Sequence, residues 1–491
     1  MHIPPTFLAS LLTCLTPLGS KATVTQPGPT QLPQTSLTET YARPVGRILG
    51  AALVDAEGWE KLSYLSTHIG HRLSGSSGLE RAINWIADRM RKEGLETRLQ
   101  KVMVPHWVRG LESARVVSPS PRELPMLGLG GSIATPPDGI TAPVVVVTSF
   151  DELDALDRSQ VEGRIVVFAV DWVGYGGTVQ YRSRGASRAA AKGAVAAFVR
   201  SATGHSLRTP HTGSLRYDQE QPKIPAAAIT PEDSEWFRRC RADGTEVTAH
   251  LFMEAKTLPD APSANIIAEI PGREEPDKVV VMGGHIDSWD VGEGTQDDGA
   301  PSIAAWHALT LLKDLGLRPR RTLRVVLWTN EENGLRGATA YREALGASAE
   351  SHVAAIEMDG GCERPVGFGF SMRRPAVGED GEKVFEPVSE DGDDERYERA
   401  HRILSEISAF FKPLDASELR RGGGGADIGP LMRSGVPGMH LNTVGERYFD
   451  WHHTHADTLD KVEPEDFKKA VALFAVMGYV LADMPETLSG E

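Results

Sequence analysis

Acidic and imidazole side chains recur in five short segments of the chain, in types and spacings that suit a divalent metal ion. Imidazole nitrogens and carboxylate oxygens are ligands of Zn²⁺ and similar ions. Because the segments hold more acid than one ion requires, the pattern favours two ions, which one carboxylate can bridge at about 3.5–4 Å. The segments are GGHIDSWD from Gly283, EGTQDDG from Glu293, TNEE from Thr329, EMDGG from Glu357 and HHTHADT from His452.

The double acid Glu331-Glu332 allows a division of labour in a hydrolytic site. One carboxylate binds metal, and the other stays free as the general base that takes a proton from the attacking water. Taken singly, a histidine after a strand is usually a hydrogen-bonded loop residue, and an acidic pair is usually a helix cap or a solvated turn. The recurrence of such residues in five segments of one unit carries the prediction of a metal site.

Alternating strands and helices are predicted to bring these segments to one edge of a sheet. Apolar runs predict strands, and periodic apolar positions predict the helices between them. Apolar strands that alternate with helices indicate an α/β fold with a mostly parallel sheet covered on both faces. In such sheets ligands bind at the carboxyl ends of the strands. The predicted strands are 279–282, 323–328, 353–358 and 438–441, and the helices are 301–315, 335–345, 397–411 and 467–484.

Residues 119–256 have a different character, with clustered prolines followed by short apolar runs between glycines and charges. This pattern predicts a β-rich inserted domain. It would divide a catalytic domain into a first part, residues 45–118, and a second part, residues 257–491.

The N-terminal segment indicates a route out of the cytoplasm. Phe7–Leu15 is a short apolar run followed by small residues, which predicts a signal peptide over residues 1–22. A linker is predicted over residues 23–44. The protein is therefore expected to be secreted or periplasmic, with lipidation at Cys14 as a weaker alternative.

Composition excludes several other classes of protein. A net charge of -15 argues against a nucleic-acid partner, because phosphate binding requires basic clusters. Three cysteines are too few for a disulfide scaffold, and we expect Cys240 and Cys362 to be reduced. No apolar run is long enough to span a membrane.

The five segments together resemble the M28 zinc peptidases, in particular their carboxypeptidase type. The resemblance covers about residues 45–485, and the β-rich insertion is similar to the protease-associated domain often inserted in this family. It implies two zinc ions per chain, and it implies a role for each of several residues. His285 and Asp359 would bind the first zinc, Glu332 and His453 the second, with Asp297 as the bridge, Glu331 as the general base and Asp287 as the carboxylate that orients His285.

Two ligand assignments have rivals. In an extended segment His453 and His455 would share one side and His452 would face away, which leaves two candidates. The family's His-Thr-x-x-Asp-Thr spacing implies His453, with His455 at the pocket rim. Asp359 is favoured over Glu357, because it lies just past the strand end.

The resemblance implies peptide-bond hydrolysis by a metal-bound hydroxide. We expect dipeptides or short peptides with a free N-terminus as substrates, and carboxypeptidase activity is the alternative. A single-zinc acyltransferase of the glutaminyl cyclase kind would hold one zinc per chain. A non-catalytic binding homologue would lack a ligand or the base, and neither is missing here. The expected partner is a small peptide, and a homodimer stays open.

Overall fold

The computed structural model describes residues 36–377, 383–388 and 394–490. The predicted signal peptide and Cys14 lie outside these residues. The α-helices are α1 (Leu37–Val54), α2 (Glu57–Tyr64), α3 (Ser77–Lys92), α4 (Phe150–Ala155), α5 (Arg158–Val161), α6 (Tyr175–Ala191), α7 (Pro231–Ala242), α8 (Ala300–Asp314), α9 (Arg336–Leu345), α10 (Glu395–Ser408), α11 (Gly429–Met432), α12 (Tyr448–Trp451) and α13 (Pro464–Asp483).

The first sheet is mixed, and its strands follow the order β1-β10-β12-β11-β13-β18-β14-β17. Its central strands β12, β11, β13 and β18 are parallel, as predicted, while β1, β10 and β14 add antiparallel pairs on the flanks. The α/β prediction is confirmed. The strands are β1 (Glu96–Val108), β10 (Lys256–Ile270), β11 (Glu275–His285), β12 (Arg321–Trp328), β13 (His352–Glu357), β14 (Pro365–Ser371), β17 (Glu418–Arg421) and β18 (Gly438–Thr443).

Helices cover both faces of this sheet. Val280 and Met282 on β11 pack into the core that contains α8 and α13, whereas Val279 and Val281 pack into the core of α9 and α11. This alternation is the period of two that a strand imposes on its side chains. A strand buried on both faces must be apolar throughout, which explains the continuous apolar run at Val279–Met282.

The carboxyl ends of the central strands lie side by side. The register pairs His285 on β11 with Trp328 on β12, and Gly283 with Glu357 on β13. The residues that follow these strands therefore emerge at one edge of the sheet.

The linker predicted over residues 23–44 is wrong from Leu37 onwards, because helix α1 begins there. Tyr41, Val45, Ile48 and Ala52 are buried on one face of this helix, at the spacing of successive helical turns. Because residues 24–40 are mostly polar, the sequence did not predict that this helix begins at Leu37.

A second sheet forms between β1 and β10, where the insertion was predicted. Its order is β3-β2-β9-β5-β6-β7-β8-β4, and it spans Glu112–Met253. The boundaries 119–256 stay a prediction. The strands are β2 (Glu112–Ser118), β3 (Arg122–Leu124), β4 (Met126–Gly128), β5 (Ile140–Val147), β6 (Ile165–Phe168), β7 (Ala196–Arg200), β8 (Ala226–Ile229) and β9 (Thr248–Met253), and a separate ribbon pairs β15 (Arg373–Val377) with β16 (Lys383–Pro387).

Cys240 and Cys362 are both buried and both free, as expected. Among the described residues, no helix combines the length and the apolar character needed to cross a membrane.

Candidate metal centre

Asp297 lies between two histidines at the carboxyl edge of the first sheet. Its Oδ1 is 3.4 Å from His285 Nε2, and its Oδ2 is 3.1 Å from His453 Nε2. Asp359 Oδ1 lies 3.7 Å from His285 Nε2, and Glu332 Oε2 lies 3.1 Å from His453 Nε2. The five predicted ligands thus form a first group (His285, Asp297, Asp359) and a second group (Asp297, Glu332, His453) that share one carboxylate.

Both histidines donate their Nδ1–H to a backbone carbonyl. His285 Nδ1 donates to Asp287 O at 3.1 Å, and His453 Nδ1 donates to Thr212 O at 3.3 Å. Because a carbonyl can only accept, Nδ1 carries a proton on each ring, and Nε2 is the nitrogen that faces Asp297. Metal-binding histidines are commonly held by a hydrogen bond of this kind.

Asp287 orients His285 differently from the expectation. Its main-chain carbonyl accepts the His285 proton, while its carboxylate lies 3.7 Å from Nδ1. That carboxylate instead accepts the backbone N–H groups of Glu331 at 3.1 Å and Glu332 at 3.3 Å. Asp287 therefore fixes the turn that carries the double acid.

The lone pairs and charges at this edge fit a bound cation. Asp297 Oδ2 and Glu332 Oε1 are buried and accept no hydrogen bond from any described residue. His453 Nε2 lies 3.1 Å from Asp297 Oδ2 and 3.1 Å from Glu332 Oε2. Burial, reinforced by the negative Asp297, raises the pKa of Glu332 to about 7. Nitrogen and oxygen lone pairs that converge in this way are satisfied by a divalent ion such as zinc.

Asp457 holds the loop that carries Asp297. Its Oδ1 accepts the N–H groups of Thr295 at 3.0 Å and Gln296 at 2.7 Å, and its Oδ2 accepts the N–H of Asp297 at 3.1 Å. Burial raises the pKa of Asp457 to about 7, while these backbone donors oppose the shift.

Arg72 braces the same loop from the other side. Its guanidinium is fully buried and donates to the carbonyls of Gly70, Ile286, Glu293 and Gly294 at 2.7–2.8 Å. Burial lowers the pKa of Arg72 to about 10, so it remains a cation at neutral pH beside the acidic cluster.

Glu331 lines a cavity of about 960 Å³ in front of the two groups. Burial, together with the negative charges of Asp359 and Glu332, raises its pKa well above the ordinary value. Its lining also includes Tyr175 and Arg182 of helix α6. The cavity therefore presents both carboxylates and a guanidinium group to a ligand.

The extended conformation predicted for the three histidines is wrong. His453 has a left-handed backbone with φ of 62°, so the side-chain alternation of a strand does not apply. The His452 ring stacks on that of His453 at 3.5 Å, and its Nε2 lies 3.5 Å from Asp297 Oδ2. His452 therefore lies beside the second group, whereas His455 is exposed.

Glu357, the rival of Asp359, is occupied by backbone donors. It is fully buried and accepts the N–H groups of Asp427 at 3.3 Å and Ile428 at 2.8 Å. Asp359 is the acid that lies next to His285.

Three supporting contributions are not evident from the sequence. Asp457 lies in the HHTHADT segment, where its spacing from His453 was its only signal, and no motif marks Arg72. Residues 211–214, which include the carbonyl that orients His453, come from the predicted insertion.

Comparisons with known proteins show the family and the fold of this chain. Residues 265–477 match the model of Peptidase family M28. The chain is 42% identical over 431 residues to carboxypeptidase Q of Homo sapiens, across 88% of this chain and 86% of that protein. A peptidase M28 precursor from Shewanella amazonensis SB2B superposes with a TM-score of 0.82 at 31% identity, over 91% of this chain and 98% of its own. A zinc aminopeptidase from Bacillus subtilis shares the fold, with a TM-score of 0.63 at 20% identity over 88% and 96% of the two chains.

Proposed function

This chain belongs to peptidase family M28, and we propose that it hydrolyses short peptides with two zinc ions. The ligands would be His285 and Asp359 for the first ion, Glu332 and His453 for the second, and Asp297 for both. The observation that carries the proposal is the division of Asp297, whose Oδ1 faces His285 and whose Oδ2 faces His453.

When bound, the ions would supply Lewis acidity to the scissile carbonyl and to the attacking water. Glu331 accepts the proton of that water and passes it to the leaving amine. Burial raises the pKa of Glu331 above its ordinary value, and a carboxylate with a raised pKa is a stronger base. The hydrogen bond from its N–H to Asp287 holds the backbone of the base in place.

The cavity favours a small zwitterionic substrate. Carboxylates line the cavity together with the Arg182 guanidinium, whose Nη1 lies 3.5 Å from His453 Nδ1. A free amino terminus suits the carboxylates, and a free carboxylate suits the arginine. We therefore propose dipeptides as substrates, and Arg182 is the observation that favours carboxypeptidase-type recognition of the free carboxylate.

Metal analysis combined with a peptide panel tests this function. We expect two zinc ions per chain, hydrolysis of a free dipeptide, and much slower hydrolysis of its N-acetylated and C-amidated forms. Removal of zinc with a chelator should abolish hydrolysis, and added zinc should restore it. One zinc per chain with cyclisation of an N-terminal glutamine would instead identify the acyltransferase alternative. Failure of the zinc-loaded protein to hydrolyse any peptide would support a binding protein.

We also propose that the protein is exported through its N-terminal segment. N-terminal sequencing of protein recovered outside the cytoplasm should begin near residue 23. Recovery of the intact N-terminus there would contradict cleavage.

A further inference from the structure

The two groups that share Asp297 differ in what supports them. In the first group, His285 is oriented by Asp287 of its own loop, and Asp359 follows strand β13. The second group is contacted by residues 211–214, which lie between β7 and β8 of the second sheet. This stretch is called the 211–214 segment below.

The 211–214 segment makes four hydrogen bonds at the second group. His211 Nδ1 donates to His452 O at 2.7 Å, and Thr212 N donates to His453 O at 3.0 Å. The Thr212 carbonyl accepts the His453 Nδ1 proton at 3.3 Å, and Ser214 Oγ donates to the carbonyl of Glu332 at 2.9 Å. Within the described part of the chain, the segment makes no hydrogen bond to the first group.

The 211–214 segment is itself anchored to the second sheet. His211 N donates to Ser201 Oγ at 2.9 Å, and Thr212 Oγ1 donates to Gly128 O at 2.8 Å. The side chains of His211 and Thr212 are almost completely buried. The segment therefore presents its donors in fixed positions instead of adapting to the turn that it contacts.

The left-handed turn at His453 depends on these donors. A non-glycine residue with positive φ is strained and persists only where its surroundings hold it. His211 and Thr212 donate to the carbonyls of His452 and His453, which precede and follow the strained Cα of His453. Without them, the binding of an ion would also have to order the turn.

We propose that the 211–214 segment is a positioning element that sets the affinity of the second ion position alone, with His211 as its principal side chain. The inference rests on the proposed two-zinc function and assigns the second-sheet segment a part in it. Loss of a residue that supports a metal ligand typically lowers metal affinity roughly 10–100-fold.

Zinc titration against a competing chelator tests this inference in the full-length protein. In His211→Ala, one of the two zinc dissociation constants should rise roughly 10–100-fold, while the other stays unchanged. His211→Asn keeps a side-chain N–H donor and should recover part of the loss. His205→Ala is the matched control, since this histidine is in the same loop and 83% exposed. It should leave both constants unchanged.

A double variant identifies which of the two ion positions the His211→Ala substitution affects. In a His453→Ala background, which lacks a ligand of the second group, His211→Ala should leave the affinity of the remaining ion unchanged. If His211→Ala does not fold, Ser214→Ala supplies the same test through the bond to Glu332.

The outcomes separate this inference from the function on which it rests. A wild-type protein that binds one zinc overturns both. A wild type with two zinc ions, whose His211→Ala variant changes both constants equally or neither, overturns the positioning role alone.

Discussion

The carboxylate of Asp457 accepts a hydrogen bond at 3.1 Å from the backbone N–H of Asp297, the residue whose side chain faces both His285 and His453. Asp457 thus positions the shared ligand by holding the main chain of Asp297. Of the two groups, the 211–214 segment is hydrogen-bonded to the second alone within the described residues, so we expect different effects when Asp457 or this segment is altered.

Asp457→Asn should weaken both zinc ions together. The amide keeps only one acceptor oxygen, and its NH₂ group would face the N–H donors that the carboxylate now satisfies. We expect both dissociation constants to rise roughly 10–100-fold, as measured by chelator competition. Asp460→Asn changes a nearby carboxylate that is 73% exposed and should have no effect. A selective loss of one ion in Asp457→Asn would contradict the role of Asp457.

Glu331→Gln should lose activity and keep its metal. The amide retains the shape of the side chain but cannot accept the proton of the attacking water, so kcat should fall roughly 10²–10⁴-fold. Zinc content by mass spectrometry should match that of the wild type. Glu343→Gln, at an exposed position on α9, serves as the control. Near-normal turnover in Glu331→Gln would exclude Glu331 as the base.

Asp297→Ala should release both ions or leave one weakly held. The proposed groups share this carboxylate, so neither group stays complete without it. Zinc content after dialysis against a weak chelator measures the effect. If the variant retains two tightly held ions, Asp297 is not the bridge.

His453→Ala and His455→Ala should differ in zinc content. His453 Nε2 faces Asp297 and Glu332, so its loss should remove the second ion. His455 is exposed, and its replacement should leave both ions and mainly raise KM. Loss of an ion from His455→Ala alone would show that the ligand is two residues further along the chain.

Asp55 should make stability depend on acidic pH. A hydrogen bond from His307 Nε2 at 2.6 Å lowers the pKa of Asp55 from 3.8 to about 2. Because the folded-state pKa lies below the unfolded one, this stabilisation is complete above about pH 4 and is lost as the pH falls towards 2. It amounts to roughly 2 kcal/mol at most.

The difference in unfolding free energy between wild type and Asp55→Asn should therefore shrink from pH 6 to pH 3. Urea denaturation measures this difference at each pH. Asp88→Asn removes a carboxylate that is 68% exposed and should show a much smaller pH-dependent difference. A constant difference between wild type and Asp55→Asn would contradict the lowered pKa.

The sequence predicted the sheet edge well, because its signals are local. The central strands are rich in apolar residues, and the five proposed ligands follow those strands or lie in loops beside them. Parallel pairing brings such residues together whatever the details of the loops.

The features that the sequence did not predict depend on contacts between distant parts of the chain. The alternation rule failed at His453 because the side chain of His211 and the backbone N–H of Thr212 hold a left-handed turn there. The role of Arg72 was not predicted because its partners are backbone carbonyls, and every residue type has one.

The pairing of Glu112 with Met253 on strands β2 and β9 has a consequence for the order of folding. These residues lie close to Val108 and Lys256, which are themselves paired on β1 and β10. Bringing the ends of a flexible loop of this length together costs roughly 4 kcal/mol in chain entropy. A second sheet that folds first brings those ends together beforehand. During synthesis its strands are complete once Met253 has emerged, whereas the first sheet still lacks β18 and the buried helix α13. The first sheet, which is synthesised completely only later, can thus form beside a second sheet that is already folded.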